Sequence, residues 1–505
     1  MKLLGIDVGT GGTRAVVVDT NGSVVASATA EHAPFASPQT GWAEQDPADW
    51  WRATVEAVSA VLSHDDVSAD EIACIGFSGQ MHGAVLLDEH EDVLRPALIW
   101  CDQRTDEQAK AITNLVGPSR LIELTANPAL TNFTATKLIW VRDHEPDLWS
   151  RFRYLLLPKD YVRLRLTGVR ATDVADASGT LLLDVANRCW SETMLDVLEI
   201  NKNCLPALFE SLEITGCVSA EGAAVTGLRE GTPVVAGAGD QAAGAVGMGI
   251  VRPGAVSATI GTSGVVFAAT ARPAFDKNGR VHTFCHAIPN RWHVMGVTQA
   301  AGLSLRWFRD RFGLGGDVAA RSPEDDPYEI LCKEAAQAPP GSDGVLWAPY
   351  LMGERTPHLD PNARAALVGL AANHTRAHVL RAILEGVAFS LRDTLTIFAE
   401  MEVPVDTIRL GGGGSRGPLW RQIQADIYGH EVEVVAADEG AAYGAALLAG
   451  VGVDAWSSVD EACAQSVRVA ARVAPDTSTS ALMNRRYSAY SALYPALRSV
   501  TEAAG

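Results

Sequence analysis

Two aspartates of this chain stand where an apolar run ends in a glycine turn. Asp7 lies within GIDVGTGGTR (residues 5–14) and Asp240 within AGAGDQAAGAVG (residues 236–247). Glycine lets backbone come close to a ligand, so a carboxylate placed there can face a phosphate's metal ion or take a proton from a hydroxyl. Each also has a plain structural alternative. Asp7 can serve as a turn residue, and Asp240 can serve as the N-cap of a small-residue helix.

The neighbours of Asp7 decide what kind of loop it occupies. A Walker loop needs G-x-x-x-x-G-K-[ST], and no such lysine is present. A dinucleotide fingerprint needs a third glycine, where this chain has Arg14, and a helix afterwards. The chain continues instead as RAVVVDTNGSVVASATAE, a strand, an Asn21-Gly22 turn and another strand, the pattern of a hairpin. The remaining reading is a hairpin tip whose backbone N–H groups approach phosphate oxygens, with the Thr10 and Thr13 hydroxyls beside them. AVSATIGTSGVVFAAT (255–270) repeats the design. Val8-Gly9-Thr10-Gly11-Gly12 aligns with Ile260-Gly261-Thr262-Ser263-Gly264, and Thr259 stands in the place of Asp7. Two such hairpins point to duplicated domains, residues 1–245 and 246–505, gripping phosphate from opposite sides of a cleft.

The elements that must hold these loops are readable in outline. Asp46 and Pro47 open a helix in DPADWWRATVEAVSAVL. EIACIGFSGQMHGAVLLD reads as strand, polar turn, strand, with Gln80-Met81-His82 at the turn. ALIWCDQRTDEQAK is a strand ending at Trp100 and a helix beginning near Thr105. TRAHVLRAILEGVAFSLRDTLTIF (375–398) is a long helix by its apolar spacing. After TIRL, the run Gly411–Gly414 leads into a helix whose N-terminal N–H groups face whatever lies over the glycines. DEGAAYGAALLAG is a closely packed alanine-rich helix. LMNRRYSAYSALYPAL reads as one docked amphipathic helix at the tail.

Composition sets the class. The chain has 505 residues, 47% of them hydrophobic and 20% charged, with a formal net charge of −19. Such acidity argues against nucleic acid as a partner, though not against a nucleotide brought by a divalent cation. No apolar stretch approaches the roughly 18 residues of a membrane span. The eight cysteines are scattered without a C-x-x-C pair, which fits a reducing cytoplasm rather than a disulfide framework. His282, Cys285, His286 and His293 have a ligand-like spacing but lie in a strand-and-turn pattern with no coherent fourth ligand. His374 and His378 read as solvated positions at a helix start.

Taken in order, GIDVGTGGTR, GQMHG, LIWCDQRT, TATKLIWV, LPKDY, AGAGDQAAGAVG, IGTSG, LMGERTPH and LGGGGSRGPLW resemble the FGGY carbohydrate kinases over residues 3 to about 450. Within that family, Gln80-Met81-His82 and WAEQDP (42–47) are most similar to the xylulose kinases. The resemblance implies an α/β protein of the actin, Hsp70 and hexokinase fold, with ATP, Mg²⁺ and a sugar as ligands. It implies transfer of phosphate from ATP to D-xylulose. A ribulose, gluconate or glycerol kinase is the alternative, and a non-catalytic actin-like nucleotide switch a more distant one. A homodimer is compatible with all of these.

By the same resemblance Asp240 is the proton acceptor, and Asp7 is the metal-side carboxylate that faces Mg²⁺ through water. Thr10, Gly11, Gly12 and Thr13 line one flank of the phosphates, and Gly261 and Thr262 the other. Gly412 and Gly413 resemble the adenosine-side glycines, and Trp307 borders the nucleotide. Met81, His82, Gln80, Gln241 and Asp102 fall on the sugar side, although Asp102 and Arg104 can equally cap the helix beginning near Thr105. Arg355 in GERTP is open in the same way, between the sugar cleft and a structural role. The chain departs from the family pattern at Asn132, where a small or aromatic residue is usual. It departs again at Gln241, commonly asparagine in xylulose kinases, and at Gly417, often polar.

Overall fold

The computed structural model describes residues 1–313, 326–436 and 440–504. The chain forms two mixed sheets, each built around an antiparallel meander beside a parallel strand. In the first, β1 (Lys2–Val8), β2 (Gly12–Asp19) and β3 (Val24–Glu31) run antiparallel in sequence, and β4 (Ile72–Gly79) lies parallel to β1. With β5 (Ile214–Cys217), β6 (Pro233–Val235) and β7 (Ala238–Gly239) the order is β5-β6-β4-β1-β2-β3, β7 pairing with the end of β4. The second sheet uses β8 (Gly254–Ile260), β9 (Gly264–Thr270), β10 (His282–Cys285), β11 (Trp292–Thr298), β12 (Val405–Gly412), β13 (Val432–Val435) and β14 (Val469–Val473). Its order is β10-β11-β9-β8-β12-β13-β14, again with a central strand flanked by its antiparallel hairpin partner and a parallel strand. The two glycine hairpins therefore occupy equivalent places.

Local chemistry explains the elements. The Asp19 carboxylate accepts from the N–H groups of Asn21 and Ser23, and Gly22 takes the positive φ that closes the first hairpin. Asp46 caps α1 (Pro47–Leu62) by accepting from Ala48 N at 2.9 Å. That helix buries Trp50, Val58 and Val61 against the first sheet, about 2 kcal/mol for each large apolar side chain. Further helices that bear on the site are α2 (Thr134–His144), α3 (Val174–Ala177), α4 (Asp240–Gly247), α5 (Gly302–Phe312), α6 (Arg376–Glu400), α7 (Pro418–Tyr428) and α8 (Gly440–Gly452).

One packing relation joins the two ends of the chain. α8 lies on β1, β4 and α4, although the strand before it in sequence, β13, belongs to the second sheet. Gly5, Gly76 and Gly444 make this approach feasible: a side chain on any of them would collide with the facing helix backbone. The alanines and glycines of α8 are close-packed for that reason.

The strand after Gln80-Met81-His82 is present as Val85–Leu87, and it pairs with Tyr154–Leu156. Two readings of the sequence are corrected. The tail is two helices, Thr477–Ser491 and Leu493–Ala504, broken at Ala492 because Pro495 cannot continue the first one. His374 and His378 are not loose in solvent. His378 completes a capping box with Thr375 at the start of α6, and His374 accepts from Ala371 N.

Candidate active site

β1 alternates. Leu4, Ile6 and Val8 enter the core, while Leu3, Gly5 and Asp7 share the face that α8 covers. Asp7 is the residue of that face beyond the helix, and Ser78 Oγ of β4 donates to its Oδ1 at 2.9 Å. In register, Asp7 pairs with Ser78 and Ser78 with Ala238, so the three lie in one row across the sheet. Gly239 then ends β7, and Asp240 is the first residue of α4. Gly237 makes the approach at φ +82°, against the Phe77 carbonyl, where any side chain would clash.

Asp7 and Asp240 line one cavity of about 480 Å³, together with Gln241, Gly411, Gly412, Ser415 and Arg416. Burial pushes the Asp240 carboxyl up to about 7, the charge of Asp7 adds to this, and hydrogen bonds from Gln241 oppose it. Burial also raises Asp7, against the pull of Ser78 and Arg14. Two carboxylates in one low-dielectric pocket destabilise each other's charged forms, and a cation between them relieves both. The oxygen-rich donor set thus fits Mg²⁺.

The second cavity, about 760 Å³, is lined by Gly261, Thr262, Gly413, Gly414 and the start of α7, with Arg416 on the wall of both cavities. Gly412 sits at φ +68° against the Ile260 carbonyl, and a Cβ on Gly414 would stand 2.6 Å from Cβ of Ile260. The glycine run therefore lies flush on β8. Gly302 N donates to Gly261 O at 2.9 Å and Leu303 N to Thr262 O at 3.1 Å, which fixes the second hairpin tip to α5.

Met81 and His82 come just after β4; Met81 sits beside Gly239, where a Cβ would be 2.7 Å from Met81 Cγ, and the His82 ring lies against Gly179. His82 Nδ1 donates to Gly179 O at 2.7 Å, and Asn132 Nδ2 lies 3.2 Å from Nε2. Burial and the Lys137 charge bring the imidazole down to about 3, so it is neutral. Phe133 and Phe284 meet the ring edge-on at 5.1 and 6.1 Å. Lys137, fully buried and pushed down to about 7 chiefly by desolvation, donates to the carbonyls of His82 and Asn132.

Behind Asp240, α3 packs on β7 and carries Asp176 in a sealed ionic cluster. Lys159 Nζ lies 2.6 Å from Asp160, 2.6 Å from Asp173 and 3.5 Å from Asp176.

Several candidates do not reach either cavity. The Thr13 hydroxyl is buried on His32 Nε2 at 2.9 Å and offers nothing to a phosphate. Gln80 braces the first hairpin instead, with Nε2 donating to Gly9 O and Gln45 Oε1. Thr10 Oγ1 accepts from Trp100 Nε1 at 2.9 Å, while Gly11 and Gly12 form the tip, with open space over Gly11. Asp102 is wholly buried, bound by Ala43 N and by the backbone N–H and guanidinium of Arg104, and it makes no cap bond to the helix that begins at Asp106. Trp307 stacks on Trp347 at 5.6 Å, and its neighbours Leu305 and Arg306 line the second cavity in its stead. His282, Cys285 and His286 are spent on Asn127, Val185 O and Ile250 O. Sequence reasoning missed Arg416, although its place directly after the glycine run was a usable signal. It also missed Gly179, whose contribution is a backbone carbonyl and leaves no sequence signal.

Comparison with known proteins identifies the family. The model for the FGGY family of carbohydrate kinases, N-terminal domain, matches residues 2–247, and that for the C-terminal domain matches residues 256–453. The xylulose kinase of Bacillus subtilis (strain 168) is 40% identical over 473 residues, 94% of this chain and 92% of that protein. The xylulose kinase of Escherichia coli (strain K12) is 40% identical over 459 residues, 91% of each. A crystal structure of a xyloylose kinase from Brucella ovis superposes with a TM-score of 0.91 at 36% identity, covering 99% of this chain and 100% of that one. The chain belongs to the FGGY family of carbohydrate kinases.

Proposed function

We propose that the protein transfers the terminal phosphoryl group of ATP to D-xylulose, giving D-xylulose 5-phosphate and ADP. The observation that carries this reading is the meeting of Asp7 and Asp240 on one cavity, with Arg416 opening onto the glycine-lined second cavity, Met81 beside Gly239 and His82 against Gly179. The similarity to xylulose kinases over nearly the full chain supports the choice of sugar.

In this reading adenosine lies over Gly412, Gly413 and Gly414, and the phosphates pass Gly261 and Thr262 toward Asp7. Asp7 would hold Mg²⁺, which offsets phosphate charge when bound. Asp240 orients the acceptor hydroxyl and takes its proton as the new O–P bond forms. A carboxylate raised toward neutrality is a better base than an ordinary one, yet is still ionised in part at pH 7. Met81 gives the sugar an apolar flank, and Gln241 lies next to the base. Kinase chemistry asks for little beyond this positioning and charge neutralisation.

The test is ADP release with Mg·ATP against D-xylulose, ribulose, gluconate and glycerol, beside Asp240→Ala. D-xylulose should give the highest kcat/KM and the variant should lose phosphotransfer. Faster turnover of another acceptor would reassign the sugar, and an active variant would remove Asp240 as the base.

A further inference from the structure

Around His82, Asn132 Oδ1 has no hydrogen-bond partner, and the charge of Arg355, from the other half of the chain, acts on the ring. His82 has no ring nitrogen to spare. Its Nδ1 faces the Gly179 carbonyl and so carries the proton, which leaves Nε2 as an acceptor for the Asn132 amide. That assignment orients Asn132: Nδ2 faces the imidazole and Oδ1 faces the other way. Asn132 is 3% exposed, and its Oδ1 has no hydrogen-bond partner. Buried amide oxygens are nearly always satisfied, so this one is an acceptor in need of a donor.

The second group is Arg355. Its loop is tied to the end of β11: Thr356 N donates to Val297 O at 3.0 Å, and Gln299 N donates to Glu354 Oε1 at 2.9 Å. Neighbouring β10 holds His282, whose ring meets Phe133 at 5.7 Å. The guanidinium is half-buried, and among the described residues no carboxylate or carbonyl hydrogen-bonds to it. Its positive charge reaches both His82 and His282 and depresses the basicity of each.

Asp240 follows Gly239, Met81 lies on Gly239, His82 is next in the chain and holds Asn132, and the Arg355 charge acts on the same ring. We propose that Asn132 and Arg355 clamp the end of the sugar distant from the phosphorylated hydroxyl, and so select the ketose. The amide oxygen accepts from a sugar hydroxyl, and the guanidinium donates to the carbonyl oxygen or a hydroxyl oxygen near it. One free acceptor and one cationic donor match a neutral polyhydroxy ketone, and Phe133 and Phe284 supply apolar faces for its C–H edges. A site that buries unpaired polar groups rejects an analogue unable to pair them. This inference rests on the reading of the protein as a ketose kinase, and it deepens that reading by naming two residues that choose the sugar.

Wild-type turnover of D-xylulose and of xylitol, which lacks the carbonyl, is measured first. Absence of D-xylulose turnover would count against the proposed activity. The clamp would then be tested with the sugar that the acceptor panel returns. Asn132→Ala and Arg355→Gln are each expected to raise KM for the sugar about tenfold, the loss of one hydrogen bond, with KM for ATP moving less than about twofold. Arg355→Gln should also narrow the preference for D-xylulose over xylitol. A change under about twofold in sugar KM for either variant, with a native-like melting curve, would overturn the clamp. Should Asn132→Ala fail to fold, side-chain amide NMR of the wild-type protein decides. Added sugar must shift the Asn132 Nδ2 signals, and no shift would overturn the proposal.

Discussion

The His82 imidazole and the Gly179 carbonyl are joined by a 2.7 Å hydrogen bond that sets the ring's tautomer, with Nδ1 protonated and Nε2 accepting. Burial and the nearby Lys137 charge hold its basicity down to about 3. His82 therefore stays neutral throughout the working range. Nitrogen shifts of the His82 ring should not titrate between about pH 5 and 9, where a free histidine would. Stability carries the matching sign: the unfolded chain binds a proton near 6.5 that the native ring refuses, so His82 costs stability as pH falls below 6.5.

Asp240 works in the opposite sense. Its native carboxyl is pushed up to about 7 from an ordinary 3.8, so between those values the native state holds a proton that the unfolded state has released. Stability therefore falls as pH rises through that window. In metal-free protein Asp240→Asn should melt higher than wild type at about pH 8 and nearly level with it at about pH 5, while phosphotransfer is lost. Calorimetry at the two pH values checks the first expectation and ADP release the second.

Gly412 has a backbone reason and a functional one. At φ +68° any Cβ is strained, and here it would also stand 2.5 Å from the Ile260 carbonyl oxygen. Gly412→Ala should cost about 1–3 kcal/mol in denaturant unfolding and raise KM for ATP more than KM for the sugar.

The ionic cluster behind Asp240 predicts a large effect from one remote change. Lys159 is the cation shared by Asp160, Asp173 and Asp176, all of them fully buried. Lys159→Met leaves three carboxylates facing the Arg163 guanidinium alone, and should cost about 3–5 kcal/mol at neutral pH. Acid should narrow the gap, because the stranded carboxyls can then protonate. Urea unfolding at two pH values measures both.

Legibility in the sequence depended on how far each residue's partner lies along the chain. The Asn21-Gly22 hairpin and the Asp46-Pro47 helix start were legible because their hydrogen bonds close within four residues. The two glycine hairpins were legible because they repeat, and Asp240 because a strand leads straight into it. The contacts of Thr13, Gln80 and Trp307 were not legible, because their partners His32, Gln45 and Trp347 lie on other segments. The register that sets Asp7 beside Ser78 and Ala238 spans more than 200 residues of chain, and no local pattern announces it. Composition could not show that α8 belongs to the first sheet, since its small residues describe close packing without naming the surface it packs against.

The crossing of α4 and α8 has a mechanical side. At Gly444 and Gly247 the two helices touch backbone to backbone, with no side chains meshed between them. Such a joint resists separation while offering little resistance to a small rotation. α4 begins at Asp240, so this carboxylate sits within two turns of the contact. Near a pivot displacements are smallest, and they grow with distance from it. A rotation at this contact would leave the Asp240 carboxylate nearly in place while more distant loops moved.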